Sequence, residues 1–214
     1  MTPEVSQQDN FLTYSRNQLN RLWNHLRSQG IYSAMLSGVD RFVREYTGLP
    51  YERFSRITPQ IYLGGQPQAA RLKALAARGI TAVVNMRSEY QYPQETQWGA
   101  MKYLHLPTTD HTAPTLDHLF EGVTFIEEQV AKGGKVYIHC WEGLGRGPSM
   151  TAAYFISQGL SLDEALAKIR RVRRFIHLTP EQLDQLKIFS KALPEYEAEG
   201  ADFSLKTETS RGDS

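Results

Sequence analysis

Apolar residues are spaced differently in different parts of this chain. Between Phe11 and Tyr46 they recur at helical spacing. Phe11, Leu12, Leu19, Leu22, Trp23 and Leu26 form one stripe, and Tyr32, Met35, Leu36, Val39, Phe42, Val43 and Tyr46 form a second. Gly30 stands between them, so two helices are predicted. From about Tyr51 onward, short apolar runs alternate with amphipathic stretches. Residues 57–63, 80–86, 101–106 and 135–139 read as strands. The run ITAVVNM at 80–86 is β-branched without alternation, as expected of a strand buried on both faces.

Residues 67–78, 115–130, 148–158, 161–175 and 179–193 read as helices. Glycines at 79, 133, 134 and 159 supply their stops. Ser161-x-x-Glu164 is a capping box, and Thr179-Pro180-Glu181-Gln182 is a second, with proline in the first turn. Pro194 is expected to end the last helix, leaving 195–214 as a polar, disordered tail. Alternating strands and helices predict an α/β fold. A mostly parallel sheet flanked by helices carries the active site at the C-terminal edge of its strands. The predicted division is a helical extension over 1–50, a catalytic domain over 51–194 and the tail.

The 214 residues suffice for one domain with a real core, and 41% hydrophobic with 22% charged residues is ordinary for a soluble protein. A net charge of +1 gives no reason to expect a nucleic-acid partner. The single cysteine, Cys140, excludes an internal disulfide framework and a cysteine-rich zinc site, and it leaves no resolving thiol. Neither a metal nor a cofactor is expected. No apolar run approaches the roughly 18 residues of a membrane span. Glu4 and Asp9 do not suit a targeting peptide, so a cytoplasmic protein is expected. Arg16, Arg21 and Arg27 are the only charges between Asp9 and Asp40. The ordinary reading of this extension is packing on the main domain; weak contact with an anionic membrane surface is the alternative.

The chemistry concentrates in VYIHCWEGLGRGPSM, residues 136–150. Cys140 stands where a strand ends and a helix begins. Gly143, Gly145 and Gly147 let backbone amides turn toward one centre, and the helix that follows aims the positive end of its dipole there. Arg146 can grip two oxygens of a phosphate. A C-x5-R loop of this kind fits phosphoryl transfer to sulfur: Cys140 attacks, and the amides of Trp141, Glu142, Gly143, Leu144 and Gly145, with Arg146, hold the oxygens. Asp110, in another loop that follows a strand, is the candidate proton donor. His139 reads as a hydrogen-bonding prop for the loop, Trp141 as a wall or a partly buried ring, and the Glu142 side chain as solvent-facing.

The run His139-Cys140-Trp141-Glu142-Gly143-Leu144-Gly145-Arg146 resembles the HC-x-x-G-x-x-R signature of cysteine-dependent protein tyrosine phosphatases. Asp110, 30 residues before Cys140, resembles the dual-specificity branch. The resemblance covers about 51–193. It implies a five-stranded sheet, no metal, and hydrolysis of phosphomonoesters on phosphotyrosine or phosphoserine/threonine proteins. A narrower similarity is to the mitochondrial phosphatidylglycerophosphate phosphatases of this superfamily. It rests on Asn85-Met86-Arg87-Ser88-Glu89-Tyr90, Asp110-His111-Thr112-Ala113-Pro114-Thr115-Leu116, and Ile169-Arg170 with Ile176-His177 and Pro180-x-Gln182-Leu183. It implies phosphatidylglycerophosphate or a phosphoinositide as the alternative substrate.

Two departures matter. Gly147 stands where the family carries Ser or Thr, whose hydroxyl helps the thiolate leave. Slower turnover is therefore expected, with a phosphate-binding scaffold as the limiting case and Ser149 as a displaced substitute. Trp141 and Glu142 stand where lipid phosphatases often carry lysine. The arginines at 170, 171, 173 and 174 are expected either to supply that charge or to cover a solvated helix face.

Overall fold

The computed structural model describes residues 31–93 and 99–209. The first of the two predicted N-terminal helices, with Arg16, Arg21 and Arg27, lies outside them. The second is helix α1, residues 31–47, followed by a short α2, Glu52–Ser55.

Among the described residues four strands make the sheet: β1 (Ile61–Gly65), β2 (Ala82–Arg87), β3 (Lys102–Thr108) and β4 (Val136–Cys140). Their order is β1-β4-β2-β3 and every pairing is parallel. The resemblance implied five strands. Here the chain turns back at Thr58, whose Oγ accepts the N–H groups of Gln60 and Ile61. Among the described residues, an isolated antiparallel bridge from Arg56 to Tyr62 is all that pairs on that edge. Every residue of β1, β2 and β4 is buried, because helices cover both faces. Side chains alternate: Leu63, Val84 and Ile138 enter the larger core, while Tyr62, Val83 and Tyr137 enter the smaller one.

The larger core is closed by α4 (Leu116–Ala131), α5 (Arg146–Ser157), α6 (Leu162–Val172) and α7 (Pro180–Thr209). The smaller is closed by α3 (Leu72–Ala77) and the segments around it. Both capping boxes form as read. The Ser161 and Glu164 side chains cap each other's backbone, and Thr179 and Gln182 do the same. The last helix does not end at Pro194 but continues to Thr209. Proline forfeits one helical hydrogen bond, yet Tyr196, just beyond it, stacks on Phe120 with ring centroids 4.0 Å apart. That contact anchors the turn after the proline.

All four strands run the same way, so the loops after β1, β2, β3 and β4 open at one edge. Gln66, Glu89, Asp110 and the cysteine loop lie on those loops. Between Asn85 and Arg87 the β2–β3 register slips by a bulge. The Arg87 N–H is held there by buried Asn85 Oδ1 at 3.0 Å. Bulges of this kind re-aim side chains at a strand end, and here the chain turns Arg87 and Glu89 inward.

Candidate active site

Cys140 is the last residue of β4, buried to 4% exposure. Its Sγ accepts the Gly143 N–H at 3.2 Å, so a loop amide already serves the sulfur. Gly143 is required there on two counts. Its φ is 69°, and a Cβ would lie 2.5 Å from the Gly64 carbonyl group. Gly145 precedes the first residue of α5 without any side-chain cap, leaving the helix amides open.

Arg146 is 1% exposed. Its Nη1 donates to Glu89 Oε2 at 2.7 Å and to the Thr108 carbonyl at 2.8 Å, and its Nη2 donates to Glu89 Oε1 at 2.9 Å. Nη2 also lies 3.0 Å from Asp110 Oδ1. Nε is buried and makes no hydrogen bond within the protein, so one donor remains for an oxyanion. Asp110 follows β3 in a turn closed by Thr112 N–H on the Thr109 carbonyl, with His111 at a left-handed φ of 65°. Its side chain is 36% exposed.

Glu89 was not among the residues singled out from sequence for a role. Burial raises its pKa, but hydrogen bonds from Arg146 and Arg87 outweigh that and hold the carboxyl at about 2. The available signal was its position: it follows the buried run of β2 at the edge where Cys140 emerges. Gln182 does more than the helix cap read from the sequence. It caps α7, donates to the Thr112 carbonyl at 2.9 Å and packs against Gly145, so it ties the Asp110 loop to the cysteine loop.

The remaining candidates divide. His139 is fully buried, with Nδ1 3.3 Å from the Cys140 carbonyl and Nε2 3.4 Å from the Tyr92 hydroxyl. Burial pushes its pKa down to about 3, so it is neutral. Two guanidiniums approach the Trp141 ring, with Arg87 4.3 Å and Arg44 5.9 Å from its centroid. Glu142 does not face open solvent. Its side chain is 17% exposed and pairs with Arg41 of α1 at 3.2 Å. Leu144 accepts the His177 N–H through its carbonyl. Ser149 donates its hydroxyl to the Gly145 carbonyl at 3.0 Å and so does not serve the sulfur.

Of the four clustered arginines, Arg170, Arg171 and Arg174 are exposed, as the solvated-face reading expected. Arg173 is not. It lies just past the end of α6, fully buried, and donates to the carbonyls of Gly143 at 2.7 Å, Glu142 at 2.5 Å and Phe54 at 3.2 Å. Asp40 of α1 neutralises it at 2.9 Å. Helical periodicity could not separate it from its neighbours, because the helix has already ended at Val172.

The pattern of the dual specificity phosphatase catalytic domain matches residues 61–192. The chain belongs to that family. It is a cysteine-dependent phosphatase. The Homo sapiens protein named phosphatidylglycerophosphatase and protein-tyrosine phosphatase 1 is 36% identical over 149 residues, spanning 65% of this chain and 74% of that one. Homo sapiens dual specificity protein phosphatase 9 is 30% identical over 140 residues, 64% of this chain and 36% of its own length. The crystal structure of Tk-PTP in its active form superposes with a TM-score of 0.60 at 35% identity, covering 66% of this phosphatase and 98% of Tk-PTP. That of PTPMT1 in complex with PI(5)P superposes at 0.62 and 31% identity, covering 66% and 97%. Helix α1, with Asp40, Arg41 and Arg44, precedes the matched region.

Proposed function

We propose that this phosphatase hydrolyses phosphomonoesters in two steps through Cys140. The thiolate attacks phosphorus in line, and the bond to the leaving oxygen breaks as Asp110 gives it a proton. A cysteinyl-phosphate results. Water, deprotonated by Asp110, then attacks phosphorus, and the sulfur departs as thiolate with release of inorganic phosphate. In both steps the loop amides and Arg146 hold the equatorial oxygens, where charge develops. The observation that carries this reading is the convergence at one strand edge of Sγ, the buried free Nε of Arg146 and the Asp110 carboxyl.

The substrate class proposed first is phosphotyrosyl protein, extending to phosphoserine and phosphothreonine, as the dual-specificity family suggests. A second class is a lipid phosphomonoester such as phosphatidylglycerophosphate. It is favoured by the name of the human relative and by the PI(5)P complex of a structural neighbour. The test is hydrolysis of an aryl phosphate, a phosphotyrosyl peptide and phosphatidylglycerophosphate by the native enzyme and Cys140→Ser. All turnover disappears in the variant, and the ratio between peptide and lipid identifies the class. Unchanged turnover in Cys140→Ser overturns the mechanism.

A further inference from the structure

Helix α1 meets the catalytic domain with its polar side. Asp40 reaches Arg173 at 2.9 Å, Arg41 reaches Glu142 at 3.2 Å, and Arg44 donates to the Gln66 carbonyl at 3.3 Å. Asp40 and Arg44 are buried. The large apolar side chains point the other way: Tyr32, Met35, Val39, Phe42 and Tyr46 are exposed, from 47% for Val39 to 83% for Tyr46. The helical spacing predicts this stripe packing on the domain; the polar side does so instead. A buried ion pair gains little net stability, because desolvation offsets the attraction. Asp40 carries a further cost. Its Oδ2 pairs with Arg173, but its Oδ1 is buried without a hydrogen bond in the protein.

The other side of Arg173 shows what the buried pair does. A trans peptide points its C=O and its N–H in opposite directions, so a loop whose carbonyls are tied outward turns its amides inward. Four consecutive carbonyls of the cysteine loop are tied in this way, those of Trp141, Glu142, Gly143 and Leu144. The Gln66 N–H donates to Trp141 at 3.1 Å and the His177 N–H to Leu144 at 2.7 Å. Arg173 holds the middle two, Glu142 at 2.5 Å through Nη2 and Gly143 at 2.7 Å through Nε. One peptide shows the effect directly. Its Glu142 carbonyl faces Arg173, while its Gly143 N–H donates to Cys140 Sγ at 3.2 Å. Donation to a carbonyl also polarises the peptide and strengthens its N–H as a donor. Arg173 is itself fixed by the Phe54 carbonyl at 3.2 Å and by the Phe175 ring, 4.4 Å from its guanidinium carbon. Among the described residues Asp40 is the one carboxylate paired with it.

We infer that Asp40 is a positioning residue for the phosphate site: it holds Arg173 in the orientation that turns the Gly143 and Leu144 amides toward the anion. Asp40 acts through Arg173 and does not touch the sulfur. Arg44 supports the neighbouring contact in the same manner, since the Gln66 whose carbonyl it holds gives its own N–H to Trp141. Both residues precede the matched catalytic domain at 61–192, so the machinery of the site extends beyond that domain. The inference rests on the two-step phosphatase reading only for its consequence to turnover, because anion binding is measured without it. Charge and position predict opposite signs. On charge alone a carboxylate near a phosphate site opposes the bound anion, and its removal tightens binding. If Asp40 positions the loop, its removal weakens binding.

The experiment is calorimetric titration of the full chain with vanadate, a phosphate mimic, for the native protein, Asp40→Ala, Asp40→Asn and Phe42→Ser. Asp40→Ala weakens vanadate binding about tenfold, the effect of one hydrogen bond to a charged group. It lowers kcat/KM for an aryl phosphate by a similar factor. Asp40→Asn returns an acceptor of the same shape without the charge, so it binds between the two. Being isosteric, it also serves as the test should the alanine variant not fold. Phe42→Ser, on the outer face of the same helix, binds as the native protein does. Tighter binding in both Asp40 variants overturns the inference, because that is the response to a bare charge. Native affinity in both variants with a lowered urea midpoint also overturns it, because the pair is then merely structural. Native protein that binds vanadate but hydrolyses no phosphate ester would count against the two-step reaction, while weaker binding by the Asp40 variants would still uphold the positioning.

Discussion

Arg146 and Glu89 meet as a two-pronged pair, with Nη1–Oε2 at 2.7 Å and Nη2–Oε1 at 2.9 Å. The guanidinium plane is therefore fixed before any phosphate arrives, and Nε is the donor left over. Glu89→Gln keeps the shape but removes one charged acceptor. A hydrogen bond to a charged group contributes about 1.5–3 kcal/mol when buried, and the half-exposed Glu89 should give the lower part of that range. The expected result is a fall in kcat/KM of about tenfold, with weaker competitive inhibition by vanadate. Native inhibition by vanadate would show that Arg146 needs no such support.

Arg173 and Asp40 form a buried pair that joins α1 to the cysteine loop, at 0% and 4% side-chain exposure. Arg173→Leu leaves the Asp40 charge and three carbonyls without their donor. Breaking a buried pair on one side costs about 3–5 kcal/mol. Urea unfolding should show a loss of that order, whereas Arg170→Leu, on the exposed side, should change stability by less than about 0.5 kcal/mol. Equal effects of the two substitutions would contradict the burial of Arg173.

His139 sets the acid limit of the fold. Burial holds its pKa at about 3, against 6.5 for an ordinary imidazole. Below pH 6.5 the unfolded chain takes up a proton that the folded chain refuses. Stability contributed by neutral His139 is thus fully present above 6.5 and drains as pH falls toward about 3, at ~1.4 kcal/mol per pH unit. Glu89, held at about 2, adds a loss of the same sign only below about 4.5. Urea midpoints compared between neutral pH and about pH 5 isolate the histidine. His139→Asn should flatten that slope; an unchanged slope would place its origin elsewhere.

Cys140 and Arg146 were legible because a C-x5-R spacing between a strand and a helix constrains local backbone, and local backbone is what a sequence pattern encodes. Asp110 was legible as a loop residue after a strand in a parallel sheet, where loops share an edge. Glu89 could have been read by the same rule. Arg173 and Asp40 could not. Their pairing spans 133 residues and depends on α6 ending one residue before Arg173. The inverted orientation of α1 was hidden for a related reason: periodicity identifies an apolar stripe but not the body it faces. Pro194 misled because the stacking of Tyr196 on Phe120 is tertiary.

Gly147 governs the last prediction. A Cβ at this position would lie 3.7 Å from the Cys140 Sγ and 3.6 Å from its N, with Leu63 Cδ1 at 3.0 Å. A serine hydroxyl there would reach the sulfur after a small shift of Leu63. Among the described residues no hydroxyl does so now, and Ser149 donates to Gly145 instead. The departing thiolate thus has the Gly143 amide as its donor but no hydroxyl. Rapid mixing with an aryl phosphate should show a stoichiometric burst of phenol followed by slow phosphate release. Gly147→Ser should raise the steady rate about tenfold, the effect of one hydrogen bond to a charged leaving atom. Gly147→Ala, which crowds Leu63 equally but brings no hydroxyl, should not. A native enzyme without a burst, together with a serine variant no faster than the alanine one, would mean that sulfur departure is not the slow step.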